Sequence, residues 1–244
     1  MQTLSEFAEK WENSEAFTKH AKESFDELVN ATPRLKEHRD FVEQHAFGFG
    51  ERCFLWMWKL IVDTFEGRPF NFLEIGVYKG QILSLIRMLS DTAKIYGVTP
   101  LDTSGGMPEE NYRLLIETIH NTLSIRKDYR LFEGRSDNVD VLNKVSAEVC
   151  DIDVLYIDGG HSRAEARYDI LTYGKLVPIG GYMIIDDCAC RMKHPMDSGY
   201  FMGIHEVCSA VDELLPPFGN SDEWIHIGSI VHNRIWQRVA KPTR

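Results

Sequence analysis

Three aspartates follow two apolar runs of the sequence, at the point where each run ends. Asp158 ends the run at 153–158, and Asp186 ends the run at 181–186 and is followed by Asp187. If these runs are neighbouring parallel strands, their carboxyl ends meet at one rim of the sheet, where open α/β sheets bind ligands. Close carboxylates repel one another unless a hard divalent cation neutralises them, and magnesium suits oxygen-only ligands best. We therefore predict that the three aspartates hold Mg²⁺; the alternative for any single one is a helix cap or an exposed position.

A second candidate site is the glycine-bearing turn at the end of the apolar run 70–77. Glu74 is followed by Gly76, Tyr78 and Gly80 before an apolar helix begins. Glycine permits positive φ and the close approach of a ligand, although the same turn also occurs for packing alone. The spacing is neither GxGxxG nor GxxxxGK[ST], which argues against hydride transfer on a dinucleotide and against nucleotide hydrolysis.

The pattern Glu74-x-Gly76-x-x-x-Gly80 resembles the first motif of class I S-adenosylmethionine-dependent methyltransferases. In that family this loop passes beneath the methionine part of the cofactor, and the acidic residue orients the loop or the amino group. The resemblance therefore implies S-adenosylmethionine as cofactor, with Glu74, Gly76, Tyr78 and Gly80 as contacts.

The sequence departs from that family at the end of the second strand, where an acidic residue usually holds the ribose hydroxyls. Thr99 stands there, and Asp102 follows three positions later. Either Asp102 binds the ribose from beyond the Pro100 turn or the ribose is held differently. After the third strand, Ser136 and Asp137 stand where the family places its adenine contacts; alternatively they only cap the next helix.

His161 is the candidate base. It stands three residues after Asp158, at the start of the next predicted helix. An alcohol hydroxyl has a pKa far above neutral, so its methylation benefits from a cation that lowers this pKa and a base that accepts the proton. Histidine titrates in the appropriate range, so we predict a catalytic role for His161 rather than a structural one.

The segments 157–170 (IDGGHSRAEARYDI) and 180–187 (GGYMIIDD) resemble the metal-dependent sugar O-methyltransferases, the macrocin O-methyltransferase and cephalosporin hydroxylase-like group. The resemblance covers roughly residues 47–239. It implies that Asp158, Asp186 and Asp187 bind magnesium, that His161 is the base, and that the acceptor is a hydroxyl of a sugar or glycosylated metabolite.

Elements that position these residues follow an alternating strand and helix pattern from Phe70 onward. Five apolar runs at 70–77, 93–98, 129–132, 153–158 and 181–186 predict buried parallel strands. Helical patterns lie between them, including 109–124 with Glu109 and Glu110 on its polar face and 203–215 before Pro216. Two final strands, joined around 228–231, predict a terminal antiparallel pair. The predicted fold is α/β, a Rossmann-like class I methyltransferase sheet with helices on both faces.

The apolar pattern of residues 1–68 predicts a helical N-terminal cap, which precedes a methyltransferase domain at 69–244. The apolar positions Phe7, Trp11 and Phe17 recur at helical spacing, and a second apolar helix runs from Cys53 toward residue 65. Aromatic side chains in this region could equally cap a pocket or form a homo-oligomer interface. The segment 188–202 is long enough for a lid over the acceptor.

The overall composition excludes several classes of partner. In 244 residues, 27 basic and 37 acidic side chains give a net charge of -10, which argues against nucleic acid and anionic membranes as main partners. Five cysteines without paired spacing predict reduced thiols rather than a disulfide scaffold. Without a signal-like or membrane-spanning apolar run, we expect a cytoplasmic enzyme with a small-molecule acceptor.

Two alternatives stay open from the sequence. Catechol-type phenols also present vicinal oxygens and can use the same metal arrangement with a different base. Because Thr99 replaces the usual acid, the chain could also bind S-adenosylmethionine or a sugar without transferring a methyl group.

Overall fold

The apolar runs form the strands of one sheet. The computed structural model of the protein describes residues 15–48, 52–105, 111–192 and 201–240. The strands are β1 (Asn71–Ile75), β2 (Lys94–Thr99), β3 (Tyr129–Glu133), β4 (Val154–Ile157), β5 (Tyr182–Ile185), β6 (Trp224–Ile230) and β7 (Asn233–Arg238). Their order across the sheet is β3-β2-β1-β4-β5-β7-β6. The first five strands are parallel, and β7 runs antiparallel to both β5 and β6, which confirms the predicted α/β fold.

Helices cover both faces of this sheet. They are α1 (Glu15–Ala31), α2 (Pro33–Gln44), α3 (Arg52–Asp63), α4 (Gln81–Leu89), α5 (Tyr112–Thr122), α6 (Val139–Glu148), α7 (Arg163–Tyr173) and α8 (His205–Leu214). Helices α1, α3, α4 and α5 share one apolar core with the sheet, and α6, α7 and α8 share the other. Alternate residues of each strand enter opposite cores; Phe72 lies in the first and Leu73 in the second.

The N-terminal helices pack directly on the sheet beneath the site. Trp58 of α3 is fully buried, with its ring centroid 5.6 Å from that of Phe72 and 5.0 Å from that of Tyr156. Phe17 of α1 is 6% exposed and belongs to the same core. These aromatic side chains are therefore buried within the chain itself. None of the described helices is both long and apolar enough to cross a membrane.

Several boundaries differ from the sequence-based expectation. Strand β1 ends at Ile75 instead of continuing to 77, because Gly76 turns the chain with a φ of 91°. The turn between β6 and β7 is at 231–232, at the end of the predicted junction 228–231, and Gly228 itself lies within β6 beside a register shift. Four parts of the predictions lie outside the described residues: Phe7, Trp11, the helix start at Glu109 and Glu110, and positions 193–200 of the predicted lid.

The prediction of reduced cysteines was wrong for one pair, since Cys190 and Cys208 form a disulfide. The loop after β5 and helix α8 bring their Cα atoms to 5.9 Å, a separation that a disulfide spans. The two residues are 18 positions apart, so their pairing depends on the tertiary fold. Cys53, Cys150 and Cys188 take part in no disulfide among the described residues.

Candidate functional site

A cavity of about 520 Å³ opens at the carboxyl ends of the parallel strands. It is the place where the topology of an open α/β sheet puts a ligand. Its wall brings together nine of the eleven predicted site residues: Glu74, Gly76, Tyr78, Asp102, Ser136, Asp158, His161, Asp186 and Asp187. The two others, Gly80 and Asp137, are not part of this wall.

Glu74 is the buried acid of the glycine turn. It is 3% exposed, and its Oε2 atom has no hydrogen-bond partner among the described residues. Burial, together with the charge of Asp186, raises the pKa of Glu74 to about 8. A buried oxygen without a partner is costly, so a donor from a bound ligand would stabilise it.

Gly76 is required by the close approach of the neighbouring loop. A Cβ atom at this position would lie 1.8 Å from the carbonyl oxygen of Asp158. The glycine therefore allows the cofactor turn and the loop that bears Asp158 to pack against each other. Gly80 has a φ of 86° and leads into α4, and its contact with a cofactor stays a prediction.

The end of β2 holds its threonine in a structural contact. Thr99 is buried, and its Oγ1 donates a hydrogen bond to the carbonyl oxygen of Val77 at 3.0 Å, which joins β2 to the glycine turn. Asp102 is exposed at the cavity wall, where its Oδ1 accepts a hydrogen bond from the backbone N–H of Ser104 at 2.8 Å. Thr99 is therefore occupied by a structural hydrogen bond, whereas the carboxylate of Asp102 is exposed to solvent at the cavity.

The loop after β3 separates the two predicted adenine contacts. Ser136 lines the cavity, whereas Asp137 is exposed and forms a bidentate pair with Arg135 at 3.1 Å. Neither residue caps α6: that role belongs to Asn138, whose side chain accepts a hydrogen bond from the backbone N–H of Asp140 at 2.9 Å. The capping alternative for Ser136 and Asp137 was therefore wrong.

The acidic rim forms because β4 and β5 pair in register. Ile157 is opposite Ile185, so Asp158 and Asp186 leave adjacent strands side by side. The Tyr156 hydroxyl lies 3.3 Å from Oδ2 of Asp158 and 3.2 Å from Oδ2 of Asp186. Asp187 follows with a φ of 53°, a left-handed conformation that aspartate adopts more readily than most residues.

The rim concentrates negative charge in a buried place. Burial and the charges of Asp186 and Asp187 raise the pKa of Asp158, and burial with the charge of Asp186 raises the pKa of Asp187 to about 6. For Asp186 burial acts in the same sense, but the hydrogen bond and charge of His232 lower its pKa. Arg135 is the one lysine or arginine among the described residues of the wall, and it pairs with Asp137 and Glu165. A bound cation would relieve this repulsion.

His161 lies beside the rim and remains accessible. Its Nε2 is 3.5 Å from Oδ2 of Asp187, and its side chain is 52% exposed. The next residue, Ser162, caps α7 in a reciprocal arrangement with Glu165, which fixes where the loop ends. An exposed imidazole beside a carboxylate can accept a proton from a ligand in the cavity.

Sequence analysis missed His232 and Tyr156. His232 lies in the turn before β7, and its Nε2 is 3.1 Å from Oδ1 of Asp186. Single atoms of Asp186, Asp187 and His232 lie within 4.8 Å of one another, a spacing that could hold a metal ion. The sequence showed only a histidine near a predicted hairpin turn. Its position beside Asp186 follows from the pairing of β7 with β5, which the sequence did not indicate.

Comparison with known proteins supports a methyltransferase. Residues 73–188 match the family of methyltransferase domains. Uncharacterized protein R132 of Acanthamoeba polyphaga mimivirus is 26% identical over 157 residues, which are 60% of this chain and 64% of that protein. The chain thus spans less than two thirds of the curated relative it matches.

Solved structures with the same fold include two methyltransferases. The O-methyltransferase NovP is 19% identical, with a TM-score of 0.54 over 76% of this chain and 79% of that one. The methyltransferase MycE from the mycinamycin biosynthetic pathway, solved with Mg and S-adenosylhomocysteine, is 16% identical, with a TM-score of 0.51 over 79% of this chain and 51% of that one.

These likenesses agree with the strand order and with the position of the cavity. The glycine turn after β1 and the rim after β4 and β5 both lie inside the matched segment. Residues 73–188 therefore resemble a methyltransferase domain, and the chain has the fold of the class I S-adenosylmethionine-dependent methyltransferases.

Proposed function

We propose that this protein is an S-adenosylmethionine-dependent O-methyltransferase that acts on a hydroxyl of a small molecule, preferably a sugar or glycosylated metabolite. The observation that carries the proposal is the shared cavity, since the glycine turn, the acidic rim and His161 all line it. A methyl donor over the turn and an acceptor at the rim would then lie next to each other.

The rim residues fit a divalent cation. Asp158, Asp186 and Asp187 supply carboxylate oxygens from two adjacent strand ends, and their mutual repulsion is unrelieved by lysine or arginine in the described wall. We assign the metal to these three residues. A bound divalent cation would lower the pKa of an acceptor hydroxyl and hold two vicinal oxygens. MycE, which has the same fold, was solved with Mg and S-adenosylhomocysteine.

The chain's own residues account for donor binding and proton transfer. Glu74, with its unpartnered Oε2, would accept a hydrogen bond from the amino group of the cofactor. The acceptor oxygen attacks the methyl carbon, a C–O bond forms as the C–S bond breaks, and S-adenosylhomocysteine leaves. The hydroxyl proton passes to Nε2 of His161, and Asp187 at 3.5 Å stabilises the resulting imidazolium.

The first experiment measures methyl transfer from S-adenosylmethionine to a panel of glycosides and catechols, with Mg²⁺ or with excess chelator. We expect transfer to glycosides that have vicinal hydroxyls, and loss of transfer in chelator and in Asp187→Ala. Preferential methylation of catechols would instead favour the phenol alternative.

Calorimetry with S-adenosylhomocysteine separates the remaining outcomes. Cofactor binding without methylation of any acceptor would support a non-catalytic binding protein. Absence of cofactor binding would refute both the methyltransferase and the binding-protein hypotheses. Full activity of Asp187→Ala in chelator would refute the metal role.

A further inference from the structure

His232 is held at the acidic rim by the backbone. Strand β7 runs antiparallel to β5 with Arg234 opposite Ile185, so the turn before β7 lies where β5 ends. The backbone N–H of Cys188 donates a hydrogen bond to the carbonyl oxygen of His232 at 2.8 Å. This contact ties the turn to the segment just after Asp187, and the position of His232 therefore follows from the sheet itself.

The imidazole of His232 contacts one of the carboxylates that line the cavity. Its Nε2 lies 3.1 Å from Oδ1 of Asp186, and both side chains are mostly buried, at 19% and 14% exposure. Aromatic rings flank the imidazole, with ring centroids at 5.5 Å for Phe201 and 6.4 Å for Phe54. Apolar walls on both sides limit the orientations that this ring can adopt.

The spacing of these atoms fits a metal coordination sphere. One ring nitrogen of His232 and one oxygen each of Asp186 and Asp187 lie within 4.8 Å of one another. Ligands at roughly 2.1 Å from an ion are about 3 Å apart when adjacent and about 4.2 Å apart when opposite. Small side-chain rotations would therefore place all three atoms on one ion.

A second observation points to a cation here. Glu74 is 3% exposed at the same wall, and its Oε2 has no hydrogen-bond partner among the described residues. Together with Asp158, Asp186 and Asp187 it places four carboxylates near the carboxyl ends of β1, β4 and β5. The two histidines beside them, His161 and His232, cannot neutralise four carboxylates, whereas a divalent ion bound among them offsets much of that charge.

We propose that His232 is a metal ligand alongside Asp186 and Asp187, so that the site prefers a later first-row transition ion such as Co²⁺ to Mg²⁺. This rests on the metal role in the proposed function and changes the expected ion. Magnesium is bound by oxygen ligands, whereas imidazole nitrogen favours the later divalent ions of the first row. A purely carboxylate rim would give a weaker preference, since oxygen ligands follow the same order with smaller differences.

The direct test is pulsed electron paramagnetic resonance of the full-length protein loaded with Mn²⁺ at one equivalent. We expect nitrogen hyperfine coupling from a coordinated imidazole, and a changed spectrum when the protein is labelled with ¹⁵N-histidine. The coupling should disappear in His232→Gln, whose amide can still donate to Asp186, and should persist in the matched control His161→Gln.

Metal affinity provides the second readout. Calorimetric titration with Co²⁺ and Mg²⁺ should show at least tenfold tighter Co²⁺ binding by the wild type. We expect His232→Gln to lose roughly 10- to 100-fold in Co²⁺ affinity while its Mg²⁺ affinity changes less than about threefold. Circular dichroism and S-adenosylhomocysteine binding check that the variant is folded.

The outcomes separate this inference from the proposed function. Wild-type protein that binds Mn²⁺ without nitrogen coupling would overturn the ligand role of His232 and leave the carboxylate metal site intact. Equal Mg²⁺ and Co²⁺ affinity, unchanged by His232→Gln, would do the same. Wild-type protein that binds S-adenosylhomocysteine but no divalent ion would overturn the metal role as a whole.

Discussion

His161 is more exposed than the carboxylates beside it, with a 52% exposed side chain against 13% for Asp187. Exposure leaves the ring free to meet an acceptor, while the contact with Asp187 limits where it lies. We expect His161→Gln to lower kcat by roughly 10²- to 10⁴-fold, because glutamine cannot accept the proton. Binding of S-adenosylhomocysteine should be unchanged, since His161 is assigned to the acceptor side. Initial-rate kinetics and calorimetry measure the two quantities, and a rate within threefold of wild type would exclude His161 as the base.

Asp169 on α7 is fully buried behind the two loops of the cavity that follow β3 and β4. Burial raises its pKa to about 7; the nearby Ser136 side chain and the charge of Arg135 oppose the shift, whereas the charges of Glu165 and Asp137 add to it. In the unfolded chain the pKa returns to its ordinary value of 3.8. The unfolded state therefore loses its proton first as the pH rises, and the folded state loses stability from about pH 4 up to pH 7.

Asp169→Asn removes this titration while keeping the size of the side chain. We expect the variant to be more stable than wild type above pH 7, by up to a few kcal/mol at about 1.4 kcal/mol per unit of pKa shift. Below pH 4 this pH-dependent difference should vanish, because Asp169 is then protonated in both the folded and the unfolded state. Urea unfolding at pH 4, 6 and 8 measures it. A difference that does not change with pH would show that Asp169 ionises at its ordinary pKa in the folded protein.

At the scale of elements, the turn after β1 and the loop after β4 are fitted to each other through Gly76. A Cβ at Gly76 would meet the Asp158 carbonyl oxygen at 1.8 Å, whereas one at Gly180, with a similar φ of 88°, would meet no heavy atom within 4 Å. Substitution of Gly180 by alanine therefore reports the cost of backbone strain alone, whereas substitution of Gly76 reports that strain together with the collision.

Gly180→Ala should cost about 1–2 kcal/mol of unfolding free energy, the penalty for a left-handed non-glycine residue. Gly76→Ala should cost at least about 2 kcal/mol more, because the loop that bears Asp158 must move. Urea denaturation gives both values, and S-adenosylhomocysteine binding should weaken in Gly76→Ala alone. Equal costs for the two variants would mean that the loop yields easily and that the close approach does not hold the site.

Much of this architecture could be predicted from the chain because β1 to β5 are short, apolar and separated by amphipathic segments. Asp158, Asp186 and Asp187 come directly after such strands, so their convergence followed from the parallel order. The local pattern could not reveal that β7 enters the sheet between β5 and β6. His232 was missed for that reason, since its place beside Asp186 depends on this insertion.

Other residues of the site were only partly predictable. Thr99 was recognised as an unusual residue, but its hydrogen bond to Val77 depends on how β2 lies against the glycine turn. The Cys190–Cys208 disulfide likewise depends on α8 packing near the loop after β5. Both are contacts between segments distant in sequence, which local periodicity does not report.

At the scale of the whole molecule, two cores on opposite faces of the sheet support one strained rim. Trp58 and Tyr156 pack below it on one side, and Ile157 and Ile185 face α7 and α8 on the other. The rim collects carboxylates that repel each other, including Asp187 in a left-handed conformation. Such features destabilise the fold and are found at functional sites, where a ligand offsets the cost.

This trade predicts opposite effects of Asp187→Asn with and without metal. Burial and the charge of Asp186 raise the pKa of Asp187 to about 6, so at pH 8 the folded protein holds a disfavoured charge. Without divalent ions we expect the free energy of unfolding of the variant to exceed that of wild type by about 1–2 kcal/mol, after allowing for partial solvent screening. This difference corresponds to a Tm that is roughly 2–8 °C higher. In wild type, an ion at 100 times its Kd should add about 2.7 kcal/mol, or roughly 5–10 °C.

The ion should add little to Asp187→Asn, because a ligand oxygen has lost its charge. Calorimetric scans at pH 8, with chelator or with Mn²⁺, measure all four states, and Asp222→Asn, an exposed aspartate before β6, serves as the control. In that control the Tm should stay near that of wild type in chelator and rise as much with Mn²⁺. A metal-free Asp187→Asn that is less stable than wild type would show that the rim carboxylates are satisfied by the chain itself. The acidic cluster would then be a structural network that stabilises the metal-free fold, and the idea that a bound ion offsets a strained rim would be refuted.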